Sequence, residues 1–163
     1  MLTATIARTL LLGALLATTA HAGAPAPAPD FSLPARDGGN LQLSDLRGQV
    51  VMINFWATWC GPCRQEMPLL QQLQAKYEPL GFTMVGVNVE PDRAAAQAWL
   101  QNVSVSFPIL FDQKNAVAAE FGVQGMPSSV FVDREGNVRY VHQGYRSGDE
   151  AKYADMIRSL VKE

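Results

Sequence analysis

The stretch WATWCGPC, residues 56–63, contains both cysteines of the chain, Cys60 and Cys63. It follows the apolar segment Val50 to Phe55, which predicts a buried strand, and it precedes a segment from Arg64 to Tyr77 with apolar residues at helical spacing. A Cys-x-x-Cys pair between a strand and a helix can hold one sulfur as a reactive thiolate beside its disulfide partner. The stretch therefore favours thiol–disulfide exchange as the chemistry of this protein.

The composition of the chain is that of one folded domain. The chain has 163 residues, of which 48% are hydrophobic, and this length suits a single domain with a sizeable core. Charged residues make up 17% of the chain, and the formal net charge is −2. Because no run of like charge occurs, nothing in the sequence indicates a nucleic-acid partner or an anionic surface as a target.

The first 22 residues differ from the rest of the chain. Arg8 precedes an apolar stretch from Leu10 to Ala17, and Ala20-His21-Ala22 follows as an A-x-A cleavage pattern. We interpret residues 1–22 as a secretory signal peptide that is cleaved after Ala22. An uncleaved membrane anchor is the alternative, although the apolar stretch is shorter than the roughly 20 residues that a span requires.

Beyond residue 22 the chain divides into a short linker and one compact domain. Residues 23–29 (GAPAPAP) are typical of an extended Pro/Ala linker, and residues 30–163 make up the domain. Short apolar segments on either side of Asp37-Gly38-Gly39 predict an N-terminal hairpin, and Ser147 with Glu150 has the spacing of a capping box for the last helix. The other predicted elements are strands at 50–55, 82–89, 107–111, 128–132 and 138–142 and helices at 64–77, 92–101 and 115–121. This alternation implies an α/β fold with a mixed sheet flanked by helices.

The start of a helix explains the spacing of the two cysteines. The first amides of a helix lack intrahelical partners and carry partial positive charge, so they can lower the pKa of a cysteine placed there from about 8.5 to about 7 or below. Cys60 is expected to be the exposed nucleophile, and Cys63, one turn further along, is expected to resolve the mixed disulfide. Pro62 fits the first helical turn, where its missing N–H has no partner to lose, and Gly61 is expected to let the two sulfurs approach without crowding.

Four other roles for the cysteines fit the sequence less well. A structural disulfide that closes so short a loop would contribute only about 2 kcal/mol. A structural zinc site needs four ligands, and beyond residue 22 the chain offers two cysteines and one histidine, His142. Haem attachment requires a histidine after the second cysteine, where Arg64 stands. Two inert core cysteines would not need Gly61 and Pro62 between them.

On these residues the chain resembles the thioredoxin superfamily. The WCGPC motif is preceded by Asn54-Phe55-Trp56, and Pro68 matches the proline that kinks the active-site helix of that superfamily. Gly125-Met126-Pro127 matches the loop that places a cis-proline opposite the disulfide. The resemblance covers about residues 30–163. It implies a thioredoxin fold for this domain and a cis peptide bond between Met126 and Pro127.

Two departures narrow the resemblance to the TlpA/ResA group of periplasmic thioredoxins. Asn54 stands where ordinary thioredoxins carry a buried Asp, and the segment from Glu90 to Leu110 adds a helix and a strand in the middle of the domain. In that group a Glu three residues past the second cysteine supports the site, and Glu66 occupies this position. On nearly the same helix face as Cys63, Glu66 could take its proton, and burial would raise the pKa of Glu66 toward neutral. The alternative is a solvated Glu stabilised by the helix dipole.

The substrate is expected to contact the cis-Pro loop and the rim of the disulfide. An extended peptide could pair with the backbone beside Met126 and Pro127, with Met126 as a flexible apolar surface. Simple core packing is the alternative role for Met126. Trp59, Gly61 and Pro62 are expected on the same substrate-contacting surface.

The resemblance implies an exported enzyme that reduces disulfides of client proteins. The Cys60 thiolate would attack a client disulfide, and Cys63 would release the reduced client and leave the Cys60–Cys63 disulfide. A membrane thiol transporter of the DsbD/CcdA type would re-reduce the enzyme in the periplasm. The clients implied are apocytochrome c, at its haem-site cysteines, or a copper-site assembly protein.

Two other functions are consistent with parts of the sequence. A thiol peroxidase of the peroxiredoxin type shares the scaffold, but its pattern places Thr three residues before the reactive cysteine, where Ala57 stands. A metal-binding or apoprotein-binding module would use the cysteines as soft ligands, and the lack of a third cysteine argues against it. We expect no cofactor, no bound metal and no nucleic-acid partner. We also expect a monomer, because no apolar helix face is left over.

Overall fold

A computed structural model describes residues 26–163. The predicted signal peptide, residues 1–22, lies outside the described residues. The strands in chain order are β1 (Ala26–Pro27), β2 (Ser32–Pro34), β3 (Asn40–Gln42), β4 (Val50–Trp56), β5 (Phe82–Asn88), β6 (Ile109–Phe111), β7 (Ser128–Val132) and β8 (Asn137–Gln143). The helices are α1 (Gly61–Tyr77), α2 (Arg93–Leu100), α3 (Ala116–Glu120) and α4 (Asp149–Leu160). None of these helices is both long enough and apolar enough to cross a membrane.

Six of the strands form one mixed sheet in the order β1-β8-β7-β4-β5-β6. β4 pairs parallel with β5 and antiparallel with β7, and β6 pairs parallel with β5. The N-terminal hairpin of β2 and β3 forms a separate small sheet, and α2 and β6 make up the central helix-strand insert. The arrangement confirms the predicted thioredoxin fold, a mixed central sheet flanked by helices.

β4 occupies the centre of the sheet because its sequence is apolar on both faces. All seven of its residues are buried, which is typical of a strand covered on both sides. The strand ends at Trp56, and α1 begins five residues later at Gly61. α1 packs against β5 and α4. The reactive loop therefore lies at the carboxyl end of a parallel strand, where α/β sheets place their sites.

The predicted linker, residues 23–29, ends in ordered structure. Ala26 and Pro27 form β1, which pairs antiparallel with β8 at the edge of the sheet, and Ala28 is buried. Among the described residues, ordered packing therefore extends four residues before Asp30, the expected start of the domain, to Ala26. A Pro/Ala segment is compatible with this position because β1 is an edge strand with only one neighbouring strand. The missing N–H of Pro27 can therefore face away from β8 without the loss of a hydrogen bond between the strands.

The capping box predicted for the last helix does not form. The N-cap residue of α4 is Gly148, whose φ of 101° lies in the left-handed region that favours glycine. The carboxylate of Glu150 accepts a hydrogen bond from the backbone N of Gly148 at 3.0 Å, and Asp149 accepts one from the backbone N of Arg146 at 2.8 Å. Acidic side chains of the first turn thus bind amides that precede the helix, and the predicted cap residue Ser147 lies one position too early.

Candidate active site

The two cysteines form a disulfide at the start of α1. Cys60 is the N-cap residue, and its sulfur accepts a hydrogen bond from the backbone N of Cys63 at 3.2 Å. This is the position where an unpartnered helix amide stabilises negative charge on a sulfur. Pro62 lies in the first turn as predicted. Apart from its two chain neighbours and the backbone of α1 itself, no atom lies within 4 Å of the place where a Cβ at Gly61 would stand, so crowding by other parts of the fold does not require a glycine there.

The disulfide is less accessible than the sequence suggested. Cys60 is 5% exposed and Cys63 is 1% exposed, so Cys60 is the more accessible sulfur by a small margin only. The neighbouring Trp59 is 71% exposed and projects from the rim, as predicted. Trp56 is fully buried and packs against Trp99, with ring centroids 5.2 Å apart. Only a small part of Cys60 is therefore open to a partner.

The loop before β7 has the predicted conformation. The peptide bond between Met126 and Pro127 is cis, Pro127 is buried and Met126 is partly buried. Met126 lines an apolar hollow of about 440 Å³ together with Trp59. It also lines a polar hollow of about 350 Å³ together with Pro62 and Arg146. The structure thus brings Trp59, Pro62 and Met126 to one surface around the disulfide.

Glu66 is fully buried, which makes the alternative of a solvated first-turn Glu wrong. Its Oε1 accepts a hydrogen bond from the Tyr153 hydroxyl at 2.8 Å, and its Oε2 accepts one from Nδ2 of Asn54 at 3.0 Å. The pKa of Glu66 is raised to about 7, chiefly by burial and in part by the nearby charge of Asp149, while the two hydrogen bonds oppose the rise. The carboxyl group can therefore change its protonation state near neutral pH.

A buried polar cluster surrounds Glu66. Nδ2 of Asn54 also donates to Oγ of Ser129 at 3.0 Å, while Oδ1 of Asn54 is buried without a partner in the described part of the chain. The ring of Tyr153 stands edge-on to that of His142, and Nε2 of His142 lies 3.2 Å from Oδ2 of Asp149. The cluster therefore connects the active-site helix to β4, β7, β8 and α4.

The sequence did not reveal Ser129 and Tyr153 as members of the site. Tyr153 lies 87 residues from Glu66, and Ser129 lies 75 residues from Asn54, so only the fold brings them together. A weak signal existed for Tyr153, which falls in the inner apolar stripe of the last helix. A buried tyrosine hydroxyl generally requires a hydrogen-bond partner.

The side chains that could bind metal do not cluster. Within residues 26–163, His, Cys, Asp and Glu form no group of three or more that could hold a metal ion. The sulfurs of Cys60 and Cys63 are bonded to each other, and His142 faces Asp149.

The Cys60 sulfur lies at the N-cap of α1 and is bonded to the Cys63 sulfur one turn further along. This arrangement is suited to making and breaking disulfides by exchange. Together with the fold, this site defines a thioredoxin-fold thiol–disulfide oxidoreductase. The chain belongs to the Redoxin family, whose model matches residues 22–157.

Known proteins support this assignment and confirm the predicted resemblance to ResA. The thiol-disulfide oxidoreductase ResA of Geobacillus thermodenitrificans is 33% identical over 125 residues, which cover 77% of this chain and 72% of ResA. The thioredoxin-like protein YneN of Bacillus subtilis is 38% identical over 120 residues, which cover 72% of this chain and 69% of YneN. A crystal structure assigned to a thiol:disulfide interchange protein DsbE from Chlorobium tepidum superposes with a TM-score of 0.82 at 41% identity, covering 84% of this chain and 96% of that one.

Proposed function

We propose that this protein is an exported reductant that cleaves disulfides in client proteins of the periplasm. The observation that carries the proposal is the hydrogen bond from the backbone N of Cys63 to the Cys60 sulfur, 3.2 Å long, at the start of α1. In the reduced protein the same amide would stabilise a Cys60 thiolate, which is the attacking species in exchange. The relatives described as a thiol-disulfide oxidoreductase and a thiol:disulfide interchange protein support this chemistry.

The reaction has two exchange steps. The Cys60 thiolate attacks one sulfur of the client disulfide, forms a mixed disulfide with it and expels the other client sulfur as a thiolate. The sulfur of Cys63 then attacks Cys60, the mixed disulfide breaks, and the second client thiolate leaves. Two electrons pass from the enzyme to the client, whose sulfurs take up two protons. The enzyme is left with the Cys60–Cys63 disulfide.

Glu66 acts as the general base of the second step. Cys63 must lose its proton to attack, and its burial keeps solvent from removing that proton. Glu66 is three residues further along α1, so it lies on nearly the same face of the helix. Because its pKa is about 7, the carboxylate is partly ionised at neutral pH and can accept the proton.

The client binds as an extended segment beside the cis-Pro loop. Backbone groups next to Met126 and Pro127 pair with it, and Met126 and Trp59 contact its side chains. The apolar hollow on one side of the disulfide is lined by Trp59, Val89, Ala118, Val123 and Met126 among others, with no charged side chain in its lining. Gly61 and Pro62 are exposed at the start of α1 and complete the contact surface.

The location, the electron donor and the clients follow from the predicted export signal and the family. Residues 1–22 direct the protein to the periplasm, where a membrane thiol transporter of the DsbD/CcdA type re-reduces it. The clients are apocytochrome c with oxidised haem-site cysteines or a copper-site assembly protein. The enzyme works as a monomer without a cofactor.

The reduction potential of the Cys60–Cys63 couple tests the direction of transfer. Equilibration with a thiol buffer is expected to give a value near or below about −250 mV, because a reductant must transfer electrons to client disulfides. A value above about −180 mV would overturn the proposal and indicate an oxidant or isomerase.

Trapping tests the chemistry and identifies clients. With Cys63→Ser the second step cannot occur, so clients remain attached to Cys60 through a disulfide that dithiothreitol cleaves. Cys60→Ser is the matched control and should trap none. Equal recovery of clients by both variants would contradict the assignment of Cys60 as the nucleophile.

A further inference from the structure

A second buried carboxylate lies beside the reactive loop. Glu90, two residues past the end of β5, is 6% exposed. Its Oε2 accepts hydrogen bonds from the backbone N of Thr58 at 2.8 Å and from Nδ2 of Asn88 at 2.8 Å. Its Oε1 accepts one from the Thr58 hydroxyl at 2.6 Å. Two of the three donors belong to one residue of the loop that carries Cys60.

The same loop is bound to the end of β5 at a second point. The carbonyl of Trp56 accepts a hydrogen bond from the backbone N of Val89 at 3.1 Å, and the backbone N of Cys60 donates to the carbonyl of Ala57 at 3.2 Å. Trp59 is mostly exposed, so its packing does little to fix the backbone. Between these two backbone bonds, the side chain of Glu90 binds the loop at Thr58.

A carboxylate accepts all three of these hydrogen bonds with its two oxygens. An amide side chain in its place could accept from the two N–H groups and donate to the Thr58 hydroxyl, but it would carry no charge. Hydrogen bonds to a charged acceptor are also about twice as strong as those between neutral groups. Glu90 forms no salt bridge in the described part of the chain, so these neutral donors stabilise its charge.

We propose that Glu90 is a positioning residue for thiol–disulfide exchange, which holds the Cys60 sulfur at the N-cap of α1 through its hydrogen bonds to Thr58. The proposal rests on the proposed role of Cys60 as the nucleophile. Glu90 acts through Thr58, two residues before Cys60, and so sets how well the sulfur meets the backbone N of Cys63.

Substitution of Thr58 tests the proposal with the charge of Glu90 left in place. Thr58→Val keeps the shape and removes the hydroxyl donor, and Thr58→Ser keeps the donor. In the reduced full chain, the pH dependence of the alkylation rate reports the pKa of the Cys60 thiol. Thr58→Val is expected to raise this pKa by about one unit, which lowers the thiolate fraction at pH 7 by up to about tenfold. Thr58→Ser should match the wild type.

If a folded Thr58→Val variant keeps the wild-type pKa of the Cys60 thiol and the wild-type rate of client reduction, the proposal is overturned. Glu90→Ala provides the second test, because it removes the acceptor of all three hydrogen bonds. Removal of a nearby negative charge alone would lower the thiol pKa and would not slow the reaction, so a slower client reduction supports the positioning role and an unchanged or faster one overturns it. Glu120→Ala, at an exposed site on α3, is the matched control.

Cys60→Ser separates this proposal from the proposed function. If Cys60→Ser still reduces clients, the proposed function itself fails. If Cys60→Ser is inactive while Thr58→Val and Glu90→Ala react at the wild-type rate, only the positioning role of Glu90 fails.

Discussion

The hydroxyl of Tyr153 donates a hydrogen bond to Oε1 of Glu66 at 2.8 Å and so joins α4 to the active-site helix. Both side chains are fully buried, so bulk water does not compete for the bond. A hydrogen bond to a carboxylate favours its ionised form, while burial favours its neutral form. The pKa of Glu66 therefore depends on a residue at the far end of the chain.

Tyr153→Phe is expected to raise the pKa of Glu66 above its value of about 7. The substitution removes one donor to the carboxylate with little change of volume, and such a bond corresponds to a shift of about one unit. The pH profile of the second exchange step should move to higher pH by that amount, measured by quenching the mixed disulfide at intervals. Tyr140→Phe on β8 is the control, and an unchanged profile for Tyr153→Phe would exclude this role.

Glu66→Gln is expected to slow the second exchange step by about 100-fold at pH 7, the low end of the range for a general base. The first step, attack by Cys60, should stay within about threefold of the wild type, because Glu66 does not touch the attacking sulfur. The mixed disulfide should therefore accumulate during turnover, visible on non-reducing gels. Equal resolution rates in the variant and the wild type would remove Glu66 from the mechanism.

The same substitution should change how the stability of the oxidised protein depends on pH. Folding raises the pKa of Glu66 from an ordinary value of 4.5 to about 7. The folded state then binds the proton more tightly, so this contribution to stability is complete below pH 4.5 and is lost as the pH rises through 7. Glu66→Gln lacks that loss. We therefore compare the free energy of unfolding of Glu66→Gln with that of the wild type at each pH. The difference, variant minus wild type, should be about 3 kcal/mol larger at pH 8 than at pH 4.

Urea unfolding at the two pH values measures that difference. Other titrating groups are common to both proteins and cancel when the variant is compared with the wild type. A constant difference between them across this pH range would mean that Glu66 titrates in the folded protein as it does in the unfolded chain.

Met126→Ala is expected to raise KM for client reduction by about tenfold without a change in the reduction potential. Met126 lines both hollows beside the disulfide. Removal of its side chain takes apolar contact area from the client, and a tenfold rise in KM corresponds to a loss of about 1.4 kcal/mol of binding free energy. Met156→Ala on α4 is the matched control, because Met156 lines neither hollow. A change of potential with an unchanged KM would indicate that Met126 tunes the disulfide instead.

Local patterns were sufficient to predict the frame of the fold. The buried strand at 50–55 and the helix at 64–77 correspond to β4 and α1, which start within three residues of the expected positions. Apolar runs and helical spacing are properties of neighbouring residues, so they can be recognised before the chain folds. The cis bond at Pro127 was predicted from the resemblance, since a local pattern alone gives a cis X-Pro bond only about 5% of the time.

The structure differs from the local pattern at two places, the linker and the start of the last helix. Ala26 and Pro27 have the composition of a linker, but β8 offers them an edge to pair with. Ser147 has the spacing of a cap residue, but α4 begins after the left-handed Gly148. At the linker a tertiary contact overrides a local preference of about 1 kcal/mol or less. At α4 the cause is local, because Asp149 and Glu150 accept hydrogen bonds from the amides of Arg146 and Gly148.

The sequence by itself determined the reactive pair, the helix that begins between its two cysteines and the position of Glu66 three residues further along. These features depend on spacing along one element, and a helix preserves spacing. Only the tertiary structure decided that Glu66 is fully buried, that Tyr153 and Asn54 donate to it, and that Glu90 binds Thr58. The physical reason is that hydrogen bonds and desolvation depend on distance in space, and the fold alone brings these residues within 3 Å of one another.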